Sequence, residues 1–152
     1  MTKDYGINNS DIPVEDVIFI KDGLLGLEHL KKYILVSPQE NLPFKYLQSV
    51  EDDALAFIVI DPYLYMSDYS FDIFDDVIDE LEVIDASDIL VLSVVVIPSD
   101  LTKMTANFAS PILINLNNRN GKQIVLQDAK YKIRQPIFDT YKTIISQGAG
   151  KC

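Results

Sequence analysis

Residues 112–126 read Ile112-Leu-Ile-Asn-Leu, then Asn117-Asn-Arg-Asn-Gly-Lys, then Gln123-Ile-Val-Leu. Two apolar runs of strand length therefore flank a polar segment that is rich in asparagine. Within that segment, Asn120-Gly121 is a pair that readily adopts the positive φ angles of a tight turn. We therefore predict a β-hairpin with strands at Ile112–Leu116 and Gln123–Leu126.

Similar apolar runs recur along the rest of the chain, and they are rich in the β-branched and aromatic residues that favour strands. They lie at Val17–Ile20, Tyr33–Val36, Phe44–Val50, Ala54–Ile60 and Ile89–Ile97. Pro62, Pro98 and Pro111 each stand at the edge of a run, where a missing N–H does least harm to the hydrogen bonds of a sheet. This many short strands predicts a mostly β fold.

One or two short helices are expected beside the strands. The best pattern begins at Asp72, a suitable N-cap, and has Asp75 and Asp76 in its first turn, where acids favour the positive end of the helix dipole. Its apolar stripe has helical spacing and consists of residues 73, 74, 77, 78 and 81. A weaker helical pattern covers Pro136–Ser146, and a short one lies near Leu27–Lys32.

The length and composition of the chain predict one domain, over residues 1–152, with a sizeable core. Of the 152 residues 48% are hydrophobic, and a chain of this length buries roughly 70% of its unfolded surface. The one cysteine, Cys152, has no second thiol with which to pair, which favours a reducing compartment. No signal peptide or membrane-spanning run is recognisable, so we expect a cytoplasmic protein without membrane contact.

The charge of the chain is distributed very unevenly. Between Lys45 and Lys103 there is no lysine or arginine, and this gap holds fourteen Asp and Glu residues, against a net charge of −10 for the whole chain. A field of this sign attracts a basic partner and repels the phosphates of nucleic acids. The alternative is a solvated acidic face that only keeps the protein soluble.

These acids fall into two groups. Asp72, Asp75 and Asp76 have a structural explanation at the start of the predicted helix. A second group, which we place in turns between strands, has no such explanation and supplies the stronger interface candidates: Asp52, Asp53, Asp61 and Asp68.

Catalytic and metal-binding patterns are few. His29 is the only histidine, no nucleophile motif accompanies it, and we predict a surface side chain. One histidine and one cysteine cannot supply the ligands of a zinc-type site, so only an all-oxygen site for Ca²⁺ or Mg²⁺ is open. Its ligands would come from Asp52-Asp53, Asp72 or Asp75-Asp76. This leaves a divalent-cation-dependent enzyme or ligand-binding module as the alternative function.

Five blocks of sequence, in order across residues 17–137, resemble the flagellar assembly factor family FliW. They are Phe19-Ile-Lys-Asp-Gly-Leu-Leu-Gly-Leu, Pro43-Phe-Lys-Tyr-Leu-Gln-Ser-Val, Ala56-Phe-Ile-Val-Ile-Asp-Pro-Tyr, Met104-Thr-Ala-Asn-Phe-Ala-Ser-Pro-Ile-Leu-Ile-Asn, and Gly121-Lys-Gln with Tyr131 and Pro136-Ile. No block is specific alone, but five in register are. The chain departs from the family at Asp61-Pro62, where Asn-Pro is usual.

The resemblance implies a non-enzymatic regulator with a small, mostly antiparallel, β barrel-like fold and no cofactor. Proteins of this family bind CsrA, a small dimeric RNA-binding regulator, and relieve its repression of flagellin translation, while flagellin competes for them. An RNA-binding protein exposes cationic surface, so the acidic segment gains a candidate partner. We expect a protein that is monomeric when free, that does not bind nucleic acid directly, and whose regulator contacts are Asp52, Asp53, Asp61, Asp68, Asp72, Asp75 and Asp76.

The second partner that the resemblance implies, flagellin, calls for an apolar surface. The segment Met104-Thr-Ala-Asn-Phe lies between Pro98 and Pro111, and we predict that it is exposed. Met104 and Phe108 would adapt to an apolar partner, and Asn107 would bond a backbone group. The alternative is that Met104 and Phe108 belong to the core.

Overall fold

The computed structural model describes residues 16–39 and 42–148, so the expectations for Cys152 and for the start of the chain lie outside the described residues. Its strands are β1 (Ile18–Ile20), β2 (Lys32–Val36), β3 (Lys45–Ser49), β4 (Ala56–Ile60), β5 (Ile89–Val96), β6 (Thr105–Ala106), β7 (Ile112–Asn115), β8 (Asn120–Gln123) and β9 (Gln135–Pro136). Its α-helices are α1 (Pro62–Tyr65), α2 (Asp75–Glu80) and α3 (Phe138–Gly148). None of the described helices is long and apolar enough to cross a membrane.

Seven of the strands close into a barrel, which confirms the mostly β, barrel-like fold. Their order is β4-β3-β2-β1-β8-β7-β5, and β5 returns to pair with β4. All of these pairs are antiparallel except β1–β8, which is parallel. The short strands β6 and β9 continue the sheet beyond the second half of β5. Closure removes the free edges that an open sheet would present along these seven strands.

Alternation of side chains along the strands creates an inner core. Ile112 and Ile114 of β7 point into the barrel, and so does Tyr33 of β2, because alternate residues of a strand face the same side. The side chains that fill the barrel are Ile18, Ile20, Leu24, Leu30, Tyr33, Leu47, Val59, Leu92, Ile112 and Ile114. Each is at most 7% exposed, so the barrel is a packed interior and not a channel.

A second core lies on the outside of the barrel. Leu113 of β7 and Val91 of β5 point outwards, yet both are buried, because helices and loops cover this face. The covering side chains come mainly from α2, from the loop before it and from the chain around β6 and β9: Tyr69, Val77, Leu81, Met104, Ala106, Phe108, Tyr131 and Ile137. Tyr69 is central, since its ring packs against Phe108 and Tyr131 at centroid distances of 5.2 and 4.7 Å.

The hairpin forms, but its turn and second strand differ from the prediction. The register pairs Asn115 with Asn120, so the second strand is β8 and not Gln123–Leu126. The positive φ angle falls on Arg119, at 63°, before the predicted Asn120-Gly121 pair. Gly121 instead lies within β8, where a Cβ atom would meet the Leu113 carbonyl oxygen at 3.1 Å. The glycine is therefore needed for close packing between strands and not for the turn.

The other elements follow the sequence unevenly. The five remaining strand predictions are confirmed, and the C-terminal helix appears as α3, shifted by about two residues from Pro136–Ser146. The short helix predicted near Leu27–Lys32 is wrong, because this stretch forms tight turns before β2 begins. The two-residue strands β6 and β9 were not predicted, because their partners are distant in sequence. The short helix α1 was not predicted either, although Asp61 followed by Pro62 is a local signal for the start of a helix.

The turn after β1 gives a test of the fold in a matched pair of glycines. Gly23 has a φ of +69°, and a Cβ atom there would lie 2.6 Å from Glu28 Cα. Gly26 has a φ of +85°, but a Cβ atom would meet nothing within 4 Å. We expect Gly23→Ala to lower the free energy of unfolding by more than about 2 kcal/mol and Gly26→Ala by about 1 kcal/mol. Urea denaturation measures both, and equal losses would contradict the packing argument.

Candidate functional site

The seven acids predicted to contact the regulator are all exposed, but they do not form one patch. Asp52 and Asp53 lie in the turn that precedes β4, whereas Asp61 follows its last residue. The five residues of β4 span roughly 16 Å at ~3.3 Å per residue, so these acids lie at opposite ends of the strand. The remaining four lie on the Asp61 side in sequence, in the segment that covers the outer core.

Two of the turn acids have structural roles that the sequence did not reveal. Asp52 Oδ1 accepts the Ala54 N–H at 3.0 Å. Asp61 is the N-cap of α1, and its Oδ1 accepts the Tyr63 N–H at 2.9 Å. The prediction that the turn acids lack a structural explanation is therefore wrong for these two. Asp53 and Asp68 make no side-chain hydrogen bond within the described part of the chain, so their charges are fully available.

The acidic helix is shorter than its pattern indicated. It begins at Asp75, and its N-cap position is Phe74, which provides no side-chain cap. The prediction of Asp72 as N-cap is wrong, because the extended residues 72–74 precede the helix. Asp75 and Asp76 do occupy the first turn. Phe74 belongs to the predicted apolar stripe, yet 68% of its surface is exposed.

The far end of α2 is fixed to the barrel by polar contacts. Asn115 is buried at the end of β7, and its Nδ2 donates to the Leu81 carbonyl oxygen at 2.8 Å. Lys122 of β8 reaches Asp22 at 2.7 Å and Glu80 at 3.3 Å. The hydrogen bond between Lys122 and Asp22 lowers the pKa of Asp22 and raises the pKa of Lys122. Across residues 16–39 and 42–148 the Lys122–Glu80 pair is the single ion pair that reaches the acidic segment, so most carboxylates of the segment have no cationic side chain within ion-pair distance.

Met104 and Phe108, predicted to be exposed, are buried, with exposed fractions of 5% and 1%. Their segment pairs with β5 and β9 through β6, which turns both side chains into the outer core. The prediction of an exposed segment is wrong for these two residues, and the core alternative is confirmed. Asn107 is half-buried and its Oδ1 accepts the N–H groups of Ala109 and Ser110. Its contact with a partner stays a prediction.

An apolar groove, which we call the α3 groove, lies between the barrel and α3. Its volume is about 180 Å³. It is lined by Phe44, Tyr46, Ile58, Ile60, Tyr65, Val95, Ile97, Leu101, Met104, Ile137, Phe138 and Tyr141. Ile97 and Leu101 are 41% and 56% exposed. No sequence pattern predicted this groove, although the three-residue spacing of Phe138 and Tyr141 on a helix puts two aromatic rings on one face.

The residues considered for chemistry are not brought together. His29 is exposed, as predicted. In the described ranges no three His, Cys, Asp or Glu side chains are placed to hold a metal ion together. The carboxylates of Asp52-Asp53 and Asp75-Asp76 lie in different elements, at the β3–β4 turn and on α2. These carboxylates therefore do not form a ligand cluster for Ca²⁺ or Mg²⁺ within the described residues.

The closed seven-stranded barrel, with a second core on its outer face, places the chain in a class of small, mostly β barrel proteins. Comparison with known proteins identifies the class further. The family model described as "FliW protein" matches residues 2–137. The chain belongs to the FliW family of flagellar assembly factors.

Individual relatives agree with this assignment. A flagellar assembly factor FliW of Thermoanaerobacter pseudethanolicus is 37% identical over 146 residues, which cover 95% of this chain and 96% of the relative. One from Caldanaerobacter subterraneus subsp. tengcongensis is 39% identical with the same coverage. A crystal structure of the flagellar assembly factor FliW superposes with a TM-score of 0.78 at 30% identity, covering 84% of this chain and 89% of the other.

Glu51 allows a test of whether an acid of the acidic segment stabilises the fold. Its carboxylate accepts the N–H groups of Lys31 and Lys32 at 2.6 and 3.0 Å, and these bonds lower its pKa. A lowered folded-state pKa stabilises the fold above the ordinary pKa of 4.5, and this contribution is lost as the pH falls through the lowered value. We expect Glu51→Gln to be less stable than the unmodified protein at pH 7 and the gap to narrow at pH 3.

Urea denaturation at the two pH values measures this gap. Asp53→Asn is the matched control, because Asp53 lies two residues away and its side chain makes no hydrogen bond within the described residues. A gap for Glu51→Gln that is unchanged or larger at pH 3 would contradict the structural role.

Proposed function

We propose that this protein is a cytoplasmic flagellar assembly factor that binds and antagonises a CsrA-type RNA-binding regulator and also binds flagellin, so that flagellin translation is coupled to filament assembly. The observation that supports binding to the regulator is the exposed acidic segment. Among the described residues, only the Lys122–Glu80 ion pair joins this segment to a cation elsewhere in the chain. The family of the chain supports a role in flagellar assembly.

The physical argument concerns charge. A protein that binds RNA must present cationic surface, and an exposed acidic surface raises the rate at which the two proteins meet. The same field repels RNA, so a regulator bound to this protein holds RNA less favourably whether the two sites overlap or are coupled at a distance. The charge thus supports both the binding and the antagonism.

The two locations of the acids suggest different contributions. Asp61, Asp68, Asp72, Asp75 and Asp76 follow one another along the cover of the outer core, and we propose that the regulator docks on this side. Asp52 and Asp53 lie at the other end of β4 and would act on the approach, because exposed charges interact over about a Debye length of ~8 Å and beyond at low salt.

The flagellin surface, in contrast, is proposed to be the α3 groove. Secreted filament subunits carry apolar helical segments that a binder must cover before assembly, and an amphipathic helix inserts apolar side chains into a groove of this kind. Met104 lines the groove even though it is buried, so the predicted residue retains a part in forming the surface. The exposed contacts would come from Ile97 and Leu101.

The proposed acidic surface predicts a kinetic effect. We expect Asp53→Lys combined with Asp68→Lys to lower the association rate constant with the regulator several-fold and to make it less sensitive to salt. These two positions are chosen because Asp52 and Asp61 cap local structure. A biosensor titration between low and physiological ionic strength measures the rate.

The matched control reverses the same number of charges outside the segment, with Asp16→Lys and Asp139→Lys. If both double variants slow association equally, net charge and not the acidic segment is responsible, and the proposed surface is wrong.

The α3 groove predicts a selective loss of flagellin binding. We expect Ile97→Ser combined with Leu101→Ser to weaken flagellin binding at least tenfold, because the rim would lose the apolar surface that a partner buries. Met104 and Phe108 are unsuitable for this test, since a polar side chain at a buried position would unfold the protein. Isothermal titration calorimetry with purified flagellin measures the affinity.

Ile84→Ser combined with Ile133→Ser is the control, because these side chains are 94% and 64% exposed and do not line the groove. Normal flagellin binding by the groove variant, with a normal melting temperature, would exclude the groove.

A further inference from the structure

A second groove, which we call the lateral groove, runs between two extended segments that belong to neither the barrel nor the α3 groove. Its volume is about 390 Å³, which lies within the roughly 300–1,000 Å³ of typical ligand clefts. One wall is formed by residues 70–74 and the start of α2, and the other by residues 124–128, which continue the chain beyond β8.

The second wall has the geometry of a strand, and one of its edges has no partner strand among residues 16–39 and 42–148. Ile124 N–H donates to the Pro111 carbonyl oxygen at 3.0 Å, and Leu126 N–H donates to that of Ala109 at 2.8 Å. Backbone groups of an extended chain alternate between its two edges, so the N–H and C=O of Val125 point to the opposite edge. They make no hydrogen bond to any residue in the described ranges. Unpaired backbone groups of this kind are a template for a further strand.

The side chains around this edge combine apolar surface with negative charge. Phe74 and Val125 are 68% and 56% exposed, and both line the groove. Asp72 and Asp128 line it as well. Lys130 is the one cation among the lining residues, and its Nζ lies 3.6 Å from Asp128 and 5.1 Å from the centre of the Tyr131 ring. Lys130 and Asp128 therefore offset each other, and Asp72 is the lining carboxylate that has no ion pair among the described residues.

We propose that the lateral groove binds an extended segment of a protein partner that carries apolar and basic side chains in alternation. The backbone of this segment pairs with Val125, which adds a strand to the free edge. Strand addition of this kind draws affinity from main-chain hydrogen bonds and specificity from alternate side chains. One face of the added strand places apolar side chains against Phe74 and Val125, and the other presents lysine or arginine to Asp72.

The charge of the groove argues for a cationic segment rather than a second copy of this chain. Two copies would bring together chains of net charge −10 each, and in each the acidic segment would lie beside the groove. The inference shares Asp72 with the regulator surface proposed above. It does not depend on that function, because any partner with a segment of this chemistry would fit.

The test uses the full chain labelled with ¹⁵N and a synthetic probe, the acetylated and amidated peptide Lys-Val-Lys-Val-Lys-Val-Lys. We expect the amide signal of Val125 to shift on titration and its hydrogen exchange to slow. Methylation of the peptide nitrogens on one alternate set of residues should abolish binding, and methylation of the other set should leave it nearly unchanged. A peptide with glutamate in place of lysine should not bind.

Two pairs of variants separate the groove from general electrostatics. We expect Asp72→Lys to weaken binding of the probe at least tenfold, whereas Asp53→Lys, the same charge change at the other end of β4, has a much smaller effect. Phe74→Ser should weaken binding, whereas Ile84→Ser should not. Both phenylalanine and isoleucine positions are exposed, so these variants should fold, and circular dichroism verifies this.

Three results would overturn the inference. They are an unshifted Val125 amide at saturating probe, equal weakening by Asp72→Lys and Asp53→Lys, and concentration-dependent dimerisation that Phe74→Ser abolishes in analytical ultracentrifugation. The regulator takes no part in these measurements. A negative result with the peptide would therefore not contradict the proposed function, and a lack of regulator binding would not contradict the proposal for the lateral groove.

Discussion

Burial of both faces of β5 and β7 is the constraint on which the rest of this structure depends. All four residues of β7 are buried, with Ile112 and Ile114 inside the barrel and Leu113 outside it. A strand that is apolar on both faces needs a layer on each side, and the closed barrel supplies only one. The second layer is the cover, which is formed by the chain from α1 to α2, by the chain around β6 and β9, and by α3. Each proposed interaction surface is a consequence of how this cover is built.

The acidic charge can be understood in the same terms. Tyr69, Val77 and Leu81 face the outer core, while the acids between them face solvent. Lysine side chains would be solvated equally well at these positions. The absence of any lysine or arginine between Lys45 and Lys103 is therefore not explained by folding. The uniform sign is the part of the pattern on which the proposed regulator surface rests.

Local sequence patterns were sufficient for elements whose stability is local, and they failed where distant residues decide. The strand runs were predictable because alternation and β-branched composition are properties of a few neighbouring residues.

The hairpin turn was misplaced because Gly121 is required by the close approach of Leu113 and Ile20, which the sequence does not place side by side. Met104 and Phe108 were misassigned for the same reason, since the two-residue strand that buries them exists only through its pairing with β5 and β9. The surfaces themselves combine residues from many elements, so no single motif could reveal them. One signal was available: the run Ile89–Ile97 does not alternate, and a continuous apolar strand indicates layers on both sides.

The parallel pair β1–β8 also determines when the protein can be completed during its synthesis. Lys122 and Asp22, which flank this pair, are 100 residues apart in the chain. The meander from β1 to β4 can pair as it leaves the ribosome, but the barrel closes only after β8 has emerged, because loop closure over such a distance is slow and needs both ends. Until then the outward faces of the early strands have no cover. The run of like charges that follows these strands in the chain would make unfinished chains repel one another. This effect would limit aggregation during synthesis, and it is separate from any binding by the folded surface.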